Sequence, residues 1–234
     1  MKDLLVFVPA YNEQDNIQKV VDDLQAKCPE VDFIVIDDGS TDNTAQICRE
    51  NGIPCISLPI NLGLDGVFQT GNKYAYLNGY QMAMPFDGDG QHNAEFVAPL
   101  VQKMQEGYDI VVGSRFLNQR KPRSLRMMGS RLLSGAFRLT TGKRFTDPTS
   151  GMRLVNRKIM KQIAFDPNCG SEPDTWAYFV RKGAKLAEVQ VAMNEREAGK
   201  SYFTLGRSIA YMFRMLVSII LINLFRGRKN TDDI

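Results

Sequence analysis

The chain lacks several of the signatures that would place it quickly. No G-x-G-x-x-G follows its first apolar run, which disfavours a nicotinamide dehydrogenase. No G-x-x-x-x-G-K-[ST] occurs anywhere, which disfavours a P-loop enzyme. The four cysteines, Cys28, Cys48, Cys55 and Cys169, form no C-x-x-C pair. They read as buried thiols in a reducing compartment rather than a disulfide frame. The start, Met1-Lys2-Asp3-Leu4, has an acid where a signal peptide needs a base, so the expected location is cytoplasmic. There is no internal repeat, low-complexity stretch or clear linker. Residues 113–146 contain nine Lys/Arg and no acid. Such a block expects an anionic partner: phosphates, a nucleic acid or an anionic membrane surface. Its only aromatics are Phe116, Phe137 and Phe145, too few for the stacking platforms of single-stranded nucleic-acid binders. No nucleic-acid partner is expected.

The 234 residues, 44% hydrophobic, suffice for one large domain with a sizeable core. Leu4-Leu5-Val6-Phe7-Val8 reads as a buried strand, and residues 13–26 carry helical apolar spacing at Ile17, Val20, Val21 and Leu24. Phe33-Ile34-Val35-Ile36 and residues 53–58 are further strands. Helices are expected at 66–78 and 96–104, with strands running into Asp87 and at 110–112. The second half is less regular, with a helix at 174–181 and a strand at 186–193. Strands alternating with helices imply a largely parallel sheet covered on both faces. Ligands of such sheets bind beyond the carboxyl ends of the strands.

Phe86-Asp87-Gly88-Asp89-Gly90-Gln91-His92 follows one of those strands. In an extended chain Asp87 and Asp89 share a face. Two carboxylates aimed at one point repel unless a cation lies between them, and hard oxygen donors select Mg²⁺ or Mn²⁺, which keep positions open for phosphates. His92 could ligate the metal, but a backbone-bonding or supporting role is favoured, since such an ion prefers oxygen.

Pro9-Ala10-Tyr11-Asn12-Glu13, Asp37-Asp38-Gly39-Ser40-Thr41-Asp42, Asn61-Leu62-Gly63, the Asp87–His92 stretch, Gly113-Ser114-Arg115-Phe116 and Ser150-Gly151-Met152-Arg153 occur in that order. Together, over about residues 3–203, they resemble the inverting family 2 glycosyltransferases of the GT-A fold, and among these the polyprenyl-phosphate (dolichol-phosphate) mannosyl- and glucosyltransferases. The resemblance implies an α/β fold with a Rossmann-like, mostly parallel central sheet, helices on both faces and a C-terminal amphipathic helix. Pro9, Ala10, Tyr11, Glu13, Asp87 and Gly88 would contact the nucleotide-sugar. Asp37 or Asp38 would accept from the base, whether the nucleotide is UDP or GDP. Asp87, Asp89 and Gln91 would hold the Mg²⁺ or Mn²⁺, and Asp89 would be essential for turnover. Arg115 and Arg126 would clamp an acceptor phosphate, and Arg196 would cover the diphosphate. A phosphate monoester is largely dianionic at neutral pH and needs no base. A saccharide hydroxyl would need one, with Asp147, Glu172 and Asp174 as candidates. The implied reaction is transfer of one sugar to a polyprenyl phosphate for cell-envelope glycan synthesis. The Q-x-x-R-W motif of the processive synthases is absent, since the sole tryptophan is Trp176. Asp65 departs from the glycine or basic residue of some relatives. A nucleotide-sugar-binding scaffold without activity is the reading of a different class.

Residues 1–203 are expected to form the catalytic domain and 204–234 a basic, amphipathic helix and tail. Residues 208–225 are apolar except for Arg214, Ser218 and Asn223, barely long enough to span a bilayer. Arg207, Tyr211, Arg214 and Ser218 form one polar stripe. The segment is expected to lie in the inner membrane interface or on a small membrane-protein partner, with packing on the domain or a homo-oligomer seam as the alternative.

Overall fold

A computed structural model describes residues 3–88, 92–192 and 205–225, with side chains for all of these except 125, 126, 205–209 and 222–225. In chain order the elements are β1 (Leu4–Ala10), α1 (Ile17–Lys27), β2 (Asp32–Asp37), α2 (Thr44–Glu50), β3 (Cys55–Ser57), α3 (Gly63–Leu77), β4 (Met82–Pro85), α4 (Val97–Gln105) after one turn of 3-10 helix, β5 (Ile110–Ser114), α5 (Leu125–Thr141), β6 (Arg153–Asn156), α6 (Arg157–Phe165), α7 (Pro173–Arg181), β7 (Leu186–Gln190) and α8 (Leu205–Phe225). The seven strands form one sheet in the order β3-β2-β1-β4-β6-β5-β7. All neighbours are parallel except β6, which runs antiparallel to both β4 and β5.

Strand β1 is apolar throughout because it is buried on both faces. Leu5 and Phe7 enter one core with Ile34, Ile36 and residues of α3, α5, α6, α7 and α8. Leu4, Val6, Val8 and Ala10 enter the other with α1, α2 and α4. This period of two on a two-sided strand is why no polar residue interrupts the run. The expected helices and strands of the first half are present with shifted ends. α1 begins at Ile17 rather than near residue 13, because the Asn16 and Ile17 amides both close a turn on the Glu13 carbonyl at 3.0 and 2.9 Å. Helices α5 and α6 add to the expected elements. α5 is capped by Ser124, whose Oγ accepts from the Met127 amide, and ends at Gly142 in the left-handed region. Its apolar residues face two ways, which blurs a single stripe.

On the α3 side the packing is aromatic. The rings of Phe7 and Phe68 meet edge to face at 5.9 Å, and Phe68 meets Trp176 at 6.0 Å. The guanidinium of Arg153 lies 5.0 Å from the Trp176 ring centre, so this chain of rings joins β1 to the start of β6, beside the Ser150-Gly151 loop. Gly71 of α3 lets the helix lie against β1: a Cβ there would stand 2.4 Å from the Phe7 ring. Alanine is the better helix former by about 1 kcal/mol, but both partners are buried and overpacking costs about 1–3 kcal/mol. Gly71→Ala should therefore lower unfolding stability in urea titrations despite its helix propensity. A raised midpoint would show that the ring can yield.

Candidate active site

The chain moves outward from β1 to β2 and β3, then crosses back to β4 on the other edge of β1. That reversal opens a crevice at the carboxyl ends of the strands, and three of the sequence motifs meet there. The loops after β1 and β2 are stitched together. The Asn12 amide donates to Ser40 Oγ at 2.9 Å, and Asn12 Oδ1 accepts from the Thr41 amide at 2.9 Å. The Glu13 amide donates to Thr44 Oγ1 at 2.9 Å and the Gln14 amide to Asp42 Oδ2 at 3.2 Å. Asn12 has φ 56°, a region asparagine tolerates better than most residues. Asp42 also caps α2, its Oδ1 accepting from the Thr44 amide at 2.9 Å, while Asn16 and Asn43 make no side-chain cap bond.

Asp37 and Asp38 are both buried. Asp37 Oδ1 accepts from the Ser40 amide at 3.0 Å. Both Asp38 oxygens are taken by the loop before α3: Oδ1 accepts from the Leu62 amide at 2.7 Å and Oδ2 from the Gly63 amide at 2.9 Å. Asp38 thus anchors the Asn61-Leu62-Gly63 motif, and Asp37 is the carboxylate with an oxygen to offer a base. At the end of β4, a Cβ on Gly88 would lie 2.7 Å from the Pro9 carbonyl oxygen, so only glycine lets this loop cross the tip of β1. His92 is buried beside it. Its Nδ1 accepts from the Asp87 amide at 2.9 Å, which leaves the ring proton on Nε2, facing Asp87 Oδ2 at 3.2 Å. Phe86 packs on the imidazole at 5.4 Å. His92 thus holds the Asp87 backbone through Nδ1, while its buried Nε2 stands close to the carboxylate without a hydrogen bond among the described residues. An oxygen donor oriented by an imidazole suits a hard cation. Asp89 and Gln91 lie outside the described residues, as does Arg196. Among the described residues no three His, Cys, Asp or Glu side chains converge as a metal cluster.

A second group lies past β5. The Ser150 hydroxyl donates to the Gly113 carbonyl at 2.5 Å, and a Cβ on Gly151 would lie 3.0 Å from Asp87 Oδ2, so this loop links Asp87 to Arg115. Arg115 does not present a free fork to solvent. Its Nε and Nη2 donate to Asp147 Oδ2 and Oδ1 at 2.7 and 2.8 Å, and its amide donates to Oδ2 at 3.1 Å. Asp147 is fully buried. Burial alone would raise its pKa, but the hydrogen bonds and charge of Arg115 outweigh it and hold the carboxyl below its ordinary 3.8. A carboxylate so stabilised is a poor proton acceptor, so Asp147 is the weakest of the three base candidates. Asp174 accepts from Ser218 Oγ at 2.5 Å and from the Thr175 amide at 2.9 Å. Glu172 differs: burial pushes its pKa above the ordinary carboxylate value, opposed by a hydrogen bond donated by the Tyr211 hydroxyl of α8.

Two cavities flank these residues. One, about 430 Å³, is lined by Asp65, Gln69, Glu172, Asp174, Arg214 and Ser218 among others. Asp65 closes its rim by accepting from the Ser171 amide and hydroxyl at 2.7 and 2.8 Å. The other, about 600 Å³, has Arg120, Lys121, Arg123, Arg131, Arg138 and Arg144 in its lining and no acid. It begins at Phe116 and Thr146, the chain neighbours of Arg115 and Asp147. The Lys121 ammonium is tied to Ser130 Oγ at 2.8 Å and Ser134 Oγ at 3.1 Å, and burial lowers its pKa. Arg126 is on α5, with its side chain outside the described residues. The convergence of Arg131, Arg138 and Arg144 was foreshadowed only by the acid-free composition of residues 113–146, and Glu188, which accepts from the Thr146 and Asp147 amides at 2.8 and 3.0 Å, had no sequence signal.

The Arg115–Asp147 pair has a pH signature. The folded-state pKa of Asp147 is depressed, so its contribution is complete above the ordinary carboxylate range and disappears as pH falls through the lower folded value. Asp147→Asn should therefore be less stable than wild type at pH 7, by about 3–5 kcal/mol for a broken buried pair. The gap should narrow in denaturant titrations taken below about pH 4. A constant gap from pH 7 to 3 would mean that the pair does not depend on ionised Asp147.

The glycosyl transferase family 2 pattern matches residues 5–164. A polyprenol monophosphomannose synthase of Mycolicibacterium smegmatis is 27% identical over 225 residues, spanning 90% of this chain and 84% of the relative. A UDP-N-acetylglucosamine–dolichyl-phosphate N-acetylglucosaminyltransferase of Methanococcus voltae is 32% identical over 187 residues, 70% of this chain and 74% of the relative. Among solved structures, glucosyl-3-phosphoglycerate synthase of Mycobacterium tuberculosis superposes with a TM-score of 0.67 at 20% identity, covering 95% of this chain and 80% of that one, in a crystal holding Mn²⁺, UDP and glucosyl-3-phosphoglycerate. With its mostly parallel sheet, its strand-end loops and this match over most of its length, the chain belongs to glycosyl transferase family 2 and has the GT-A fold.

Proposed function

We propose that this enzyme transfers one sugar from a nucleotide-sugar, UDP- or GDP-linked, to a polyprenyl phosphate at the inner face of the membrane, for cell-envelope glycan synthesis, with residues 1–203 as the catalytic domain. The observation that carries this reading is on α5. Arg131 and Arg138 line the basic cavity, while Met128, Leu132 and Leu139, about 90° around the helix, are exposed. A cationic cavity beside an exposed apolar stripe suits a ligand with a phosphate head and a hydrocarbon tail. The names of the polyprenyl- and dolichyl-phosphate relatives support the same acceptor class.

In this reading the donor lies in the crevice, its base near Asp37 and its diphosphate beside Asp87 and Gly88, with Pro9, Ala10, Tyr11 and Glu13 at the wall. Asp87, together with Asp89 and Gln91, would hold a Mg²⁺ or Mn²⁺, and the Mn²⁺ and UDP of the solved neighbour favour such an ion. Bound there, it would supply Lewis-acid neutralisation of the departing diphosphate. His92 keeps Asp87 in place. An acceptor phosphate oxygen attacks the anomeric carbon while the bond to the diphosphate breaks, which inverts the centre. Arg138, Arg144 and Lys121 hold the acceptor dianion, whose charge makes a base unnecessary. Arg115, spent on Asp147, shapes the passage between donor and acceptor rather than clamping phosphate alone. One observation favours a second reading, a saccharide hydroxyl acceptor: the pKa of Glu172 is raised by burial, as a general base requires.

The test is transfer of labelled sugar from separate nucleotide-sugars into organic-extractable lipid, with polyprenyl phosphate and Mg²⁺ or Mn²⁺. A chelator should abolish the product. Arg138→Ala and Arg144→Ala should each lower kcat/KM for the lipid roughly ten- to hundredfold, the loss of one charge-assisted contact of about 1.5–3 kcal/mol. Glu172→Gln should be mild. If Glu172→Gln abolishes turnover and both arginine variants keep full activity with a saccharide acceptor only, the lipid reading fails.

A further inference from the structure

Helix α8 has its polarity turned inside out for a surface helix. Among the described side chains, Tyr211 and Ser218 face the protein, and Arg214 lies exposed at the margin. The Tyr211 hydroxyl donates to Glu172, Ser218 Oγ donates to Asp174 at 2.5 Å, and the Arg214 Nη2 lies 3.7 Å from Glu172 Oε1. Met215 and Ile219 continue this inner face into the core. The outer face is apolar: Phe213 is 69% exposed, and Ile220 and Leu221 are also open. Alongside it, α5 offers Leu139 at 82% exposure, with Met128 and Leu132. The two helices are drawn together at Gly129, where a Cβ would lie 2.9 Å from Met212 Cγ. Six large apolar side chains thus stand outward on two adjoining helices, and single scattered exposures would not make such a group. Around them α5 and its flanks carry Arg120, Arg123, Arg131, Arg138, Lys143 and Arg144 with no acid between residues 113 and 146. No helix among the described residues is long and apolar enough to cross a membrane.

We propose that the paired outer faces of α5 and α8 are seated on an anionic lipid bilayer, and that α8 is a two-sided strap whose inner face forms a wall of the 430 Å³ cavity at Glu172 and Asp174. The basic fringe selects the occupant. A second copy of the chain would bring the same cations against one another, whereas an anionic leaflet attracts each of them and accepts the apolar side chains into its acyl boundary. The helix on the lipid is the same one that hydrogen-bonds Glu172 and Asp174, so bilayer contact and the shape of that cavity are linked. This deepens the proposed lipid-acceptor function, but its test needs no turnover, so either can fail alone.

The purified 234-residue chain would be floated with vesicles of phosphatidylglycerol and phosphatidylcholine, and with phosphatidylcholine alone. The expected result is recovery with the anionic vesicles, at least tenfold weaker recovery with the neutral ones, and loss of recovery as salt rises. Leu139→Glu and Phe213→Glu should each reduce anionic recovery at least tenfold with an unchanged thermal midpoint, since both side chains are exposed. Should a glutamate variant unfold, Leu139→Ser and Phe213→Ser make the same comparison. The vesicles should also slow amide exchange across residues 173–177 of α7 in wild type and not in the variants. Equal recovery of wild type and variants, or of both vesicle types, would overturn the docking face. A dimer in vesicle-free light scattering that the same substitutions dissolve would assign the face to a second copy instead. Slowed exchange in α8 alone would overturn the link to the cavity.

Discussion

The structure depends on the placement of β1 in the middle of the sheet, paired with β2 and β4 and covered on both faces. With no free edge and no exposed face, this strand cannot shift register without moving both cores. Its carboxyl end is therefore a fixed point, and the loops that line the crevice are built on it. Gly88 crosses within contact of the Pro9 carbonyl, and the Asn12 turn is clasped by Ser40 and Thr41. A site that must place a nucleotide and its diphosphate to within fractions of an ångström gains from loops held by many short hydrogen bonds rather than by one.

The acceptor side is organised differently. There the controlling feature is a carboxylate that is wholly neutralised. Asp147 accepts three bonds from Arg115 while its amide and that of Thr146 are held by Glu188. This junction sets two carboxylates, Asp147 and Glu188, against the one guanidinium of Arg115, so the positive field comes from the neighbouring cavity and its arginines. The division is physically sensible: ions buried at the junction must pair to be tolerated, while those lining an open cavity remain hydrated until a ligand arrives.

The C-terminal helix joins the two sides. It buries Met215 and Ile219 against α5 and α7, and it reaches Glu172 and Asp174 with Tyr211 and Ser218. The sequence motifs all lie before residue 203, and α8 packs onto the core of that domain. Its composition alone is compatible with lying on lipid or packing on protein. In the fold Tyr211 and Ser218 turn inward to the Glu172 and Asp174 carboxylates, and Phe213, Ile220 and Leu221 turn outward.

What the sequence by itself determined is whatever rests on local pattern. The two-sided apolar run of β1, the alternation of helix and strand, and the ordered motifs at 9–13, 37–42 and 87–92 were enough for the family, the GT-A architecture and the crevice. The supporting role of His92 also followed from ligand chemistry. Tertiary structure alone decided which charges meet. Arg115 and Asp147 are 32 residues apart and Tyr211 and Glu172 are 39 apart, and no periodicity encodes such pairs. Asp38 became a loop anchor and Asp37 the more available carboxylate through the position of residues 62 and 63, not through anything in the motif they share. The reason is general: period and propensity act within a few residues, whereas a side chain's charge state and free valence depend on the neighbours that folding brings to it.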